Sequence, residues 1–363
     1  MLLERSNTVQ NKKDLNDLYQ IFIVIQQNAL SGISIPDALK MYEETTTRPK
    51  IKRILKEVRT DMERGVRMAD AFAKHPDLFP DYIIEMMRVN EGTGQSDEIY
   101  TDIVKTLEQQ IDLRRNISSQ TGQMIFLGIL LILTICIVIF LVLPSMSKLM
   151  MGTGMTIPWY TKLLLGVGNG AKEFWWLIAA IAVGIFFGAK VAAKKNPRQL
   201  AKILLNLPLY GKIYYNQAQY RFALIFGLCK NSGLDTIRAL KFTKDSCGNI
   251  LMADLIDKAM RDIDRYGSNL VMTFQKHNRN NILDKSYYMF LKAGEKGDMG
   301  HLMSVRADFF KKQLIVASQQ FSQDMQNLIL APTFGFLALI LLSVLAPLFS
   351  MMSSMASGGM GTM

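Results

Sequence analysis

Met124–Leu143 reads MIFLGILLILTICIVIFLVL. It holds no charged residue, and sixteen of its positions are Ile, Leu, Val or Phe. On insertion scales each of those contributes about −0.3 to −0.6 kcal/mol, so the stretch favours a bilayer by about 5–10 kcal/mol. Twenty residues at about 1.5 Å rise make about 30 Å, the thickness of a hydrocarbon core. The stretch reads as a transmembrane helix.

Two further apolar runs complete a three-span expectation. Phe174–Ala189 is sixteen residues long, with Lys172 and Lys190 placed to snorkel and Trp175 and Trp176 suited to an interface. Leu328–Phe349 is longer and carries Pro332 and Pro347. Arg114 and Arg115 precede the first span, and Lys190, Lys194, Lys195 and Arg198 follow the second. The positive-inside rule then puts both flanking regions in the cytoplasm. The expected division is a cytoplasmic segment (1–16), a first cytoplasmic helical domain (17–123), a span (124–143) and a periplasmic loop (144–173). A second span (174–189), a second cytoplasmic helical domain (190–327), a third span (328–349) and a periplasmic tail (350–363) follow. Met1–Lys13 is polar and lacks the apolar core of a secretory signal, so none is expected.

Outside the spans the pattern is helical. Ile51–Met62 places apolar residues at 51, 54, 55, 58 and 62, one face of a helix. Pro36 suits the first turn of a helix that follows the Ser31-Gly32 break. No run alternates polar and apolar residues. The fold class is all-α.

The chain also repeats itself. Ser31–Lys40 matches Ser232–Lys241 at five of ten positions, and Phe72, Lys74 and His75 match Phe274, Lys276 and His277. Glu91 matches Glu295, and Met124 corresponds to Leu328. Order is kept throughout, which marks a duplicated unit: a helical domain leading into a membrane helix. Ser31, Gly32, Ser232 and Gly233 define its first turn.

Charge divides the copies. Before Met124 there are 17 Lys and Arg against 19 Asp and Glu, whereas Lys190–Gln326 holds 22 against 11. The net charge of +11 therefore belongs to the second copy. A basic domain tied to a membrane is expected to meet lipid heads or an acidic partner, not nucleic acid. Three cysteines, one inside a span, make no disulfide framework.

Chemistry-bearing motifs are sparse. Gly92–Ser96 and Gly168–Lys172 are glycine-rich but fit no phosphate loop. His75, His277 and His301 have no partners at metal-ligand spacing. Asp254, Asp257, Asp262 and Asp264 interleave with Lys258, Arg261 and Arg265, as on a solvated helix face with i,i+4 pairs. Methionines cluster after the first and last spans, which names a metal or small-solute transporter as the alternative class. The charge-free spans count against it. No catalytic, cofactor or metal residue is expected. There remain Glu91 with Gly94, and Gly294, Glu295 and Gly297, each a carboxylate with glycines between predicted helices. They are either tight turns, with the carboxylate near the next helix N-terminus, or a partner surface as well.

Two copies of an aliphatic helix, Ser-Gly, Ala-Leu and Gly-Glu, followed by a span, resemble the inner-membrane platform proteins of type II secretion and type IV pili, the GspF/PilC group. The resemblance covers about residues 17–350. Gly294-Glu295 fits the family pattern directly, while Asn90 stands at the glycine position before Glu91. The short N-terminal region is closest in layout to the platforms of type IVb and thin pili. The resemblance implies a non-enzymatic, homo-oligomeric scaffold in the bacterial inner membrane. It implies a cytoplasmic N-terminus and a periplasmic C-terminus. Its implied partners are a hexameric assembly ATPase, pilin or pseudopilin subunits, inner-membrane alignment proteins and membrane lipids.

Overall fold

The computed structural model describes residues 12–93, 96–137, 196–208 and 210–358, with positions 144, 145, 166 and 184. Every regular element among the described residues is helical. The first copy is α1 (Lys12–Leu30), α2 (Ile35–Thr45), α3 (Pro49–Glu63), α4 (Met68–Ala73), α5 (Asp81–Thr93) and α6 (Ser96–Ile137). A connecting helix, α7 (Pro197–Asn206), leads into the second copy. That copy is α8 (Gly211–Asn231), α9 (Thr236–Ser246), α10 (Ile250–Tyr266), α11 (Leu270–His277), α12 (Tyr287–Gly294) and α13 (Met299–Gly358).

Local chemistry explains why the two copies start alike. α1 ends at Gly32 (φ 71°) and α8 at Gly233 (φ 81°), in the left-handed region where a Cβ is penalised. The Gly32 N–H donates to Ala29 and the Ile33 N–H to Asn28; Gly233 and Leu234 do the same to Lys230 and Cys229. Both are Schellman caps, which satisfy carbonyls that a helix end leaves free. The next helix is capped by Ser34, accepting from the Asp37 N–H, or by Asp235, accepting from the Arg238 N–H. α2 and α9 then run for the same eleven residues.

Two compact units are present. One joins the described residues up to Ile117 with Pro197–Ser318, and the other is drawn from Ser118–Asn196 and Gln319–Met363. Within the first unit each of α1 to α4 packs on its successor, and α8 to α11 do likewise. α5 also packs against α8 and α9, so the two copies share a boundary. Phe72 and Phe274, equivalent in the repeat, are fully buried at matching places. Phe72 meets Phe22 and Phe79 with ring centroids 6.3 and 4.3 Å away. Phe274 meets Phe222 edge-on at 5.7 Å.

In the second unit the ends of α6 and α13 expose large apolar side chains, among them Phe126, Ile129 and Ile132, then Leu328, Phe334 and Phe349. Among the described residues no helix is long and apolar enough to cross a membrane. Residues 138–143 and all of 174–189 except Gly184 lie outside the described residues, and 328–349 fall within α13. The three-span layout therefore rests on the sequence.

Candidate functional site

Glu91 lies in the last turn of α5, not in a turn between helices: α5 runs on to Thr93. Burial of Tyr82, Ile83, Met86 and Met87 along one face carries the helix past Asn90. The carboxylate thereby reaches back to α4, not forward to the next helix. Its Oε1 accepts the Ala69 N–H at 3.0 Å. That donor belongs to the first turn of α4, whose N-cap, Arg67, offers no side-chain acceptor. Glu91 thus caps α4 from another helix, supplying both an acceptor and a negative charge at the positive end of the helix dipole.

Glu295 serves the equivalent helix end of the second copy, that of α11, through an intermediary. It is the C-cap residue of α12, and its Oε2 accepts from the Asn269 amide at 2.8 Å. Asn269 is itself the N-cap of α11, its Oδ1 accepting from the Val271 and Met272 N–H groups. Both glutamates are otherwise exposed. The sequence pointed to the carboxylates but not to Ala69 or Asn269; Asn269 ahead of the apolar Leu270-Val271 is a readable N-cap signal.

Of the glycines predicted beside them, Gly94 lies outside the described residues. Gly297 is exposed with open space around its Cα. Gly294 is buried, and a Cβ there would stand 3.0 Å from the Met299 Cα and closer to its sulfur. The close approach of α12 to α13 needs that glycine. Ser31 and Ser232 each donate a side-chain hydrogen bond to the carbonyl four residues earlier, Gln27 and Leu228, at the end of their helices.

A second matched device ties α3 to α4 and α10 to α11. Asp61 accepts from Lys74 at 2.7 Å, and Asp262 from Lys276 at 2.8 Å. His277 adds a bond of 2.8 Å to Asp262, whereas His75 faces Glu57 at 3.5 Å. Hydrogen bonds from Lys276 and His277 hold the Asp262 carboxyl below its ordinary pKa. The acidic run in α10 is mostly paired across helices: Asp254 with Arg198, Asp257 with Lys244, and only Asp257–Arg261 along the helix.

Among the described residues only the second copy buries a cation this fully. Arg306, 8% exposed, has its guanidinium carbon 4.6 Å from the Phe309 ring centre, 4.7 Å from Phe310 and 5.0 Å from Phe290. It pairs with Asp284 at 3.3 Å and donates to Ser286. Burial pushes the Asp284 carboxyl up, yet hydrogen bonds from Ser286 and Tyr215, with the Arg306 charge, bring it below its ordinary value. Gln219 joins this network, its Oε1 accepting the Asp284 N–H at 3.1 Å.

Burial pushes the thiols of Cys229 and Cys247 up to about 12 and about 11, which keeps them protonated and poor nucleophiles. Among the described residues no group of His, Cys, Asp and Glu is placed to hold a metal ion. What the elements do present is a pair of exposed carboxylates fixed to packed helices.

The family described as type II secretion system protein F matches the chain twice, over residues 29–144 and 222–347. Each match covers one copy of the repeat. A type IV pilus assembly protein PilC of Thermus thermophilus is 24% identical over 332 residues, 90% of this chain and 80% of that protein. A second PilC, from Pseudomonas aeruginosa, is 19% identical over 88% of this chain and 86% of its own length. A type II secretion system protein F of Pseudomonas aeruginosa is 24% identical over 68% of this chain and 61% of its own.

Proposed function

From its membership of the type II secretion system protein F family, to which this chain belongs, we propose how it serves a pilus or secretion machine. It is a platform protein of that machinery. In our reading it sits in the bacterial inner membrane with three spans and both helical copies in the cytoplasm, as a homo-oligomer. It couples a hexameric assembly ATPase to extraction and polymerisation of pilin or pseudopilin subunits. The observation that carries the reading is the double match of one family to two copies that share caps, ties and helix order. The exposed apolar ends of α6 and α13 support lipid contact, since soluble surfaces rarely expose contiguous apolar area on that scale.

Within this reading the near-neutral first copy docks the ATPase through a surface that includes Glu91, with Gly94 beside it. The basic second copy, with Gly294, Glu295 and Gly297, faces lipid heads or an acidic alignment protein. Deletion of the gene should abolish surface filaments or secretion, and the wild-type chain should restore them. A reporter that works only outside the cytoplasm should be silent when fused after Leu18 or Gly211 and active within Gly152–Thr156. Activity at Gly211 would sink the three-span layout, and unchanged assembly in the deletion strain would sink the platform role.

A further inference from the structure

Between α10 and the end of α11 lies a cleft of about 420 Å³. Lys258, Arg261 and Arg265 line it from α10, and His277 and Arg279 from beyond the other wall. Its one carboxylate, Asp262, is already engaged by Lys276 and His277. Arg261 is held by Asp257, which also holds Lys244. Lys258, Arg265 and Arg279 have no carboxylate within ion-pair distance among the described residues. Three unneutralised cations thus converge on one concavity, with the exposed ring of Tyr266 at its edge.

The first copy shows that the fold does not require this. In the repeat register Glu57 stands for Lys258, Thr60 for Arg261 and Asp77 for Arg279, while Arg64 and His75 keep the types of Arg265 and His277. The Asp–Lys tie is retained, so the scaffold is common, while two of the cations are replaced by acids and a third by a neutral residue. A solvated surface has no reason to gather uncompensated cations into a concave site. Two guanidinium forks and an ammonium match the several oxygens of a phosphate, which arginine engages through paired N–H donors.

We propose that this cleft is a binding site for a multiply charged phosphate anion, held by Lys258, Arg265 and Arg279. Such a group can come from a free phosphate compound or from a phospholipid head. The probe is inorganic pyrophosphate, titrated calorimetrically into the full-length protein in phosphatidylcholine nanodiscs. Saturable binding at one site per chain is expected, weakening as salt rises. The double variant Lys258→Glu, Arg279→Asp, which installs the first copy's residues, should weaken it by at least about tenfold, because each reversal replaces an attraction by a repulsion. All of these side chains are exposed, so the variant should melt with the wild type. The reciprocal Glu57→Lys, Asp77→Arg should create a second site of similar affinity. Loss of pyrophosphate binding when the nanodisc contains phosphatidic acid assigns the cleft to a lipid head; no competition assigns it to a soluble phosphate. The proposal is overturned if neither probe binds, if the double variant binds as well as wild type, or if a glutamate-rich peptide binds where pyrophosphate does not.

Discussion

In the first copy Asp61 holds Lys74 while His75 turns to Glu57; in the second, Asp262 holds both Lys276 and His277. Around the same tie the first copy places acids and the second places bases. The caps diverge in the same manner. Glu91 reaches the α4 backbone itself, whereas Glu295 acts through Asn269. The core diverges too, since among the described residues only the second copy encloses a guanidinium among aromatic rings. What persists is what holds helix to helix in sequence order. What varies is charge at surfaces and at one buried point, where a partner or ligand could be told apart.

The largest expected difference lies at Arg306. Arg306 is buried among aromatic rings, while its partner Asp284 is a third exposed and keeps its bonds from Ser286 and Tyr215. Arg306→Ala should therefore destabilise by about 3 kcal/mol, the lower end of the cost of breaking a fully buried pair, with protection lost first in the segment around Asp284–Phe310. The position 204 residues earlier is Asp102, which makes no comparable aromatic contacts among the described residues. Asp102→Asn should change stability by less than about 1 kcal/mol, as expected away from such networks. Chemical denaturation of the full-length protein in detergent, with hydrogen exchange to localise the loss, makes the comparison. Equal costs at the two positions would mean that the copies do not differ in their cores.

Much of this architecture was legible in the residues. Ser31-Gly32 and Ser232-Gly233 marked a turn, which the backbone closes as a Schellman cap, and the spacing of Ile51, Ile54, Leu55 and Val58 marked the buried face of α3. Glu91 and Glu295 stood out because they recur. Their role did not, because an acceptor's partner is set by where two helices cross, and a separation of 22 in sequence hides the pairing of Ala69 with Glu91. The pairs Asp61–Lys74 and Asp262–Lys276 were hidden for the same reason, although both members recur in register. The acids of α10 looked like an i,i+4 series, yet neighbouring helices supplied better-placed cations. Arg306 gave no periodic signal at all: a single cation in an otherwise ordinary helical stretch reads as surface until the aromatic rings are in place.

A smaller effect should separate the two glutamates. Losing a side-chain cap costs about 0.5–2 kcal/mol. Glu91→Ala removes the side-chain acceptor that serves the Ala69 N–H, so about 1 kcal/mol is expected. Glu295→Ala leaves Asn269 capping α11 and should cost only a few tenths. Against that background the docking role is readable. ATPase co-isolation should fall for Glu91→Lys while protein abundance drops only modestly, and both should hold for Glu295→Lys. Abundance lost equally in both variants would return the pair to a purely structural part.

The smallest effect, and the one that tests the charge inversion directly, is the response to acid. In the second copy, hydrogen bonds from Lys276 and His277 lower the Asp262 carboxyl, and the bonds around Asp284 lower it despite burial. Both groups then bind a proton less readily folded than unfolded, where a carboxyl titrates near about 3.9. Their contribution is full above that value and is lost as the pH falls through it toward the lower folded pKa. In the first copy the sign is opposite. Burial raises Asp17 in spite of Arg48, and burial raises Asp102, so the folded state takes up protons first. Acidification there relieves a cost instead of removing a gain. Asp245 in the second copy is also raised by burial and subtracts from the contrast without reversing it, since two lowered carboxyls oppose it. Taking the full-length protein from about pH 6 to about pH 3 should therefore strip hydrogen-exchange protection from α10 to α12 before α1 to α3, each copy being read by its own peptides. Lys276→Gln should shrink that gap, because Asp262 then loses its first proton-excluding partner and titrates nearer its unfolded value. Loss of α1 to α3 first, or a gap untouched by Lys276→Gln, would show that the inverted charges do not govern how the copies differ.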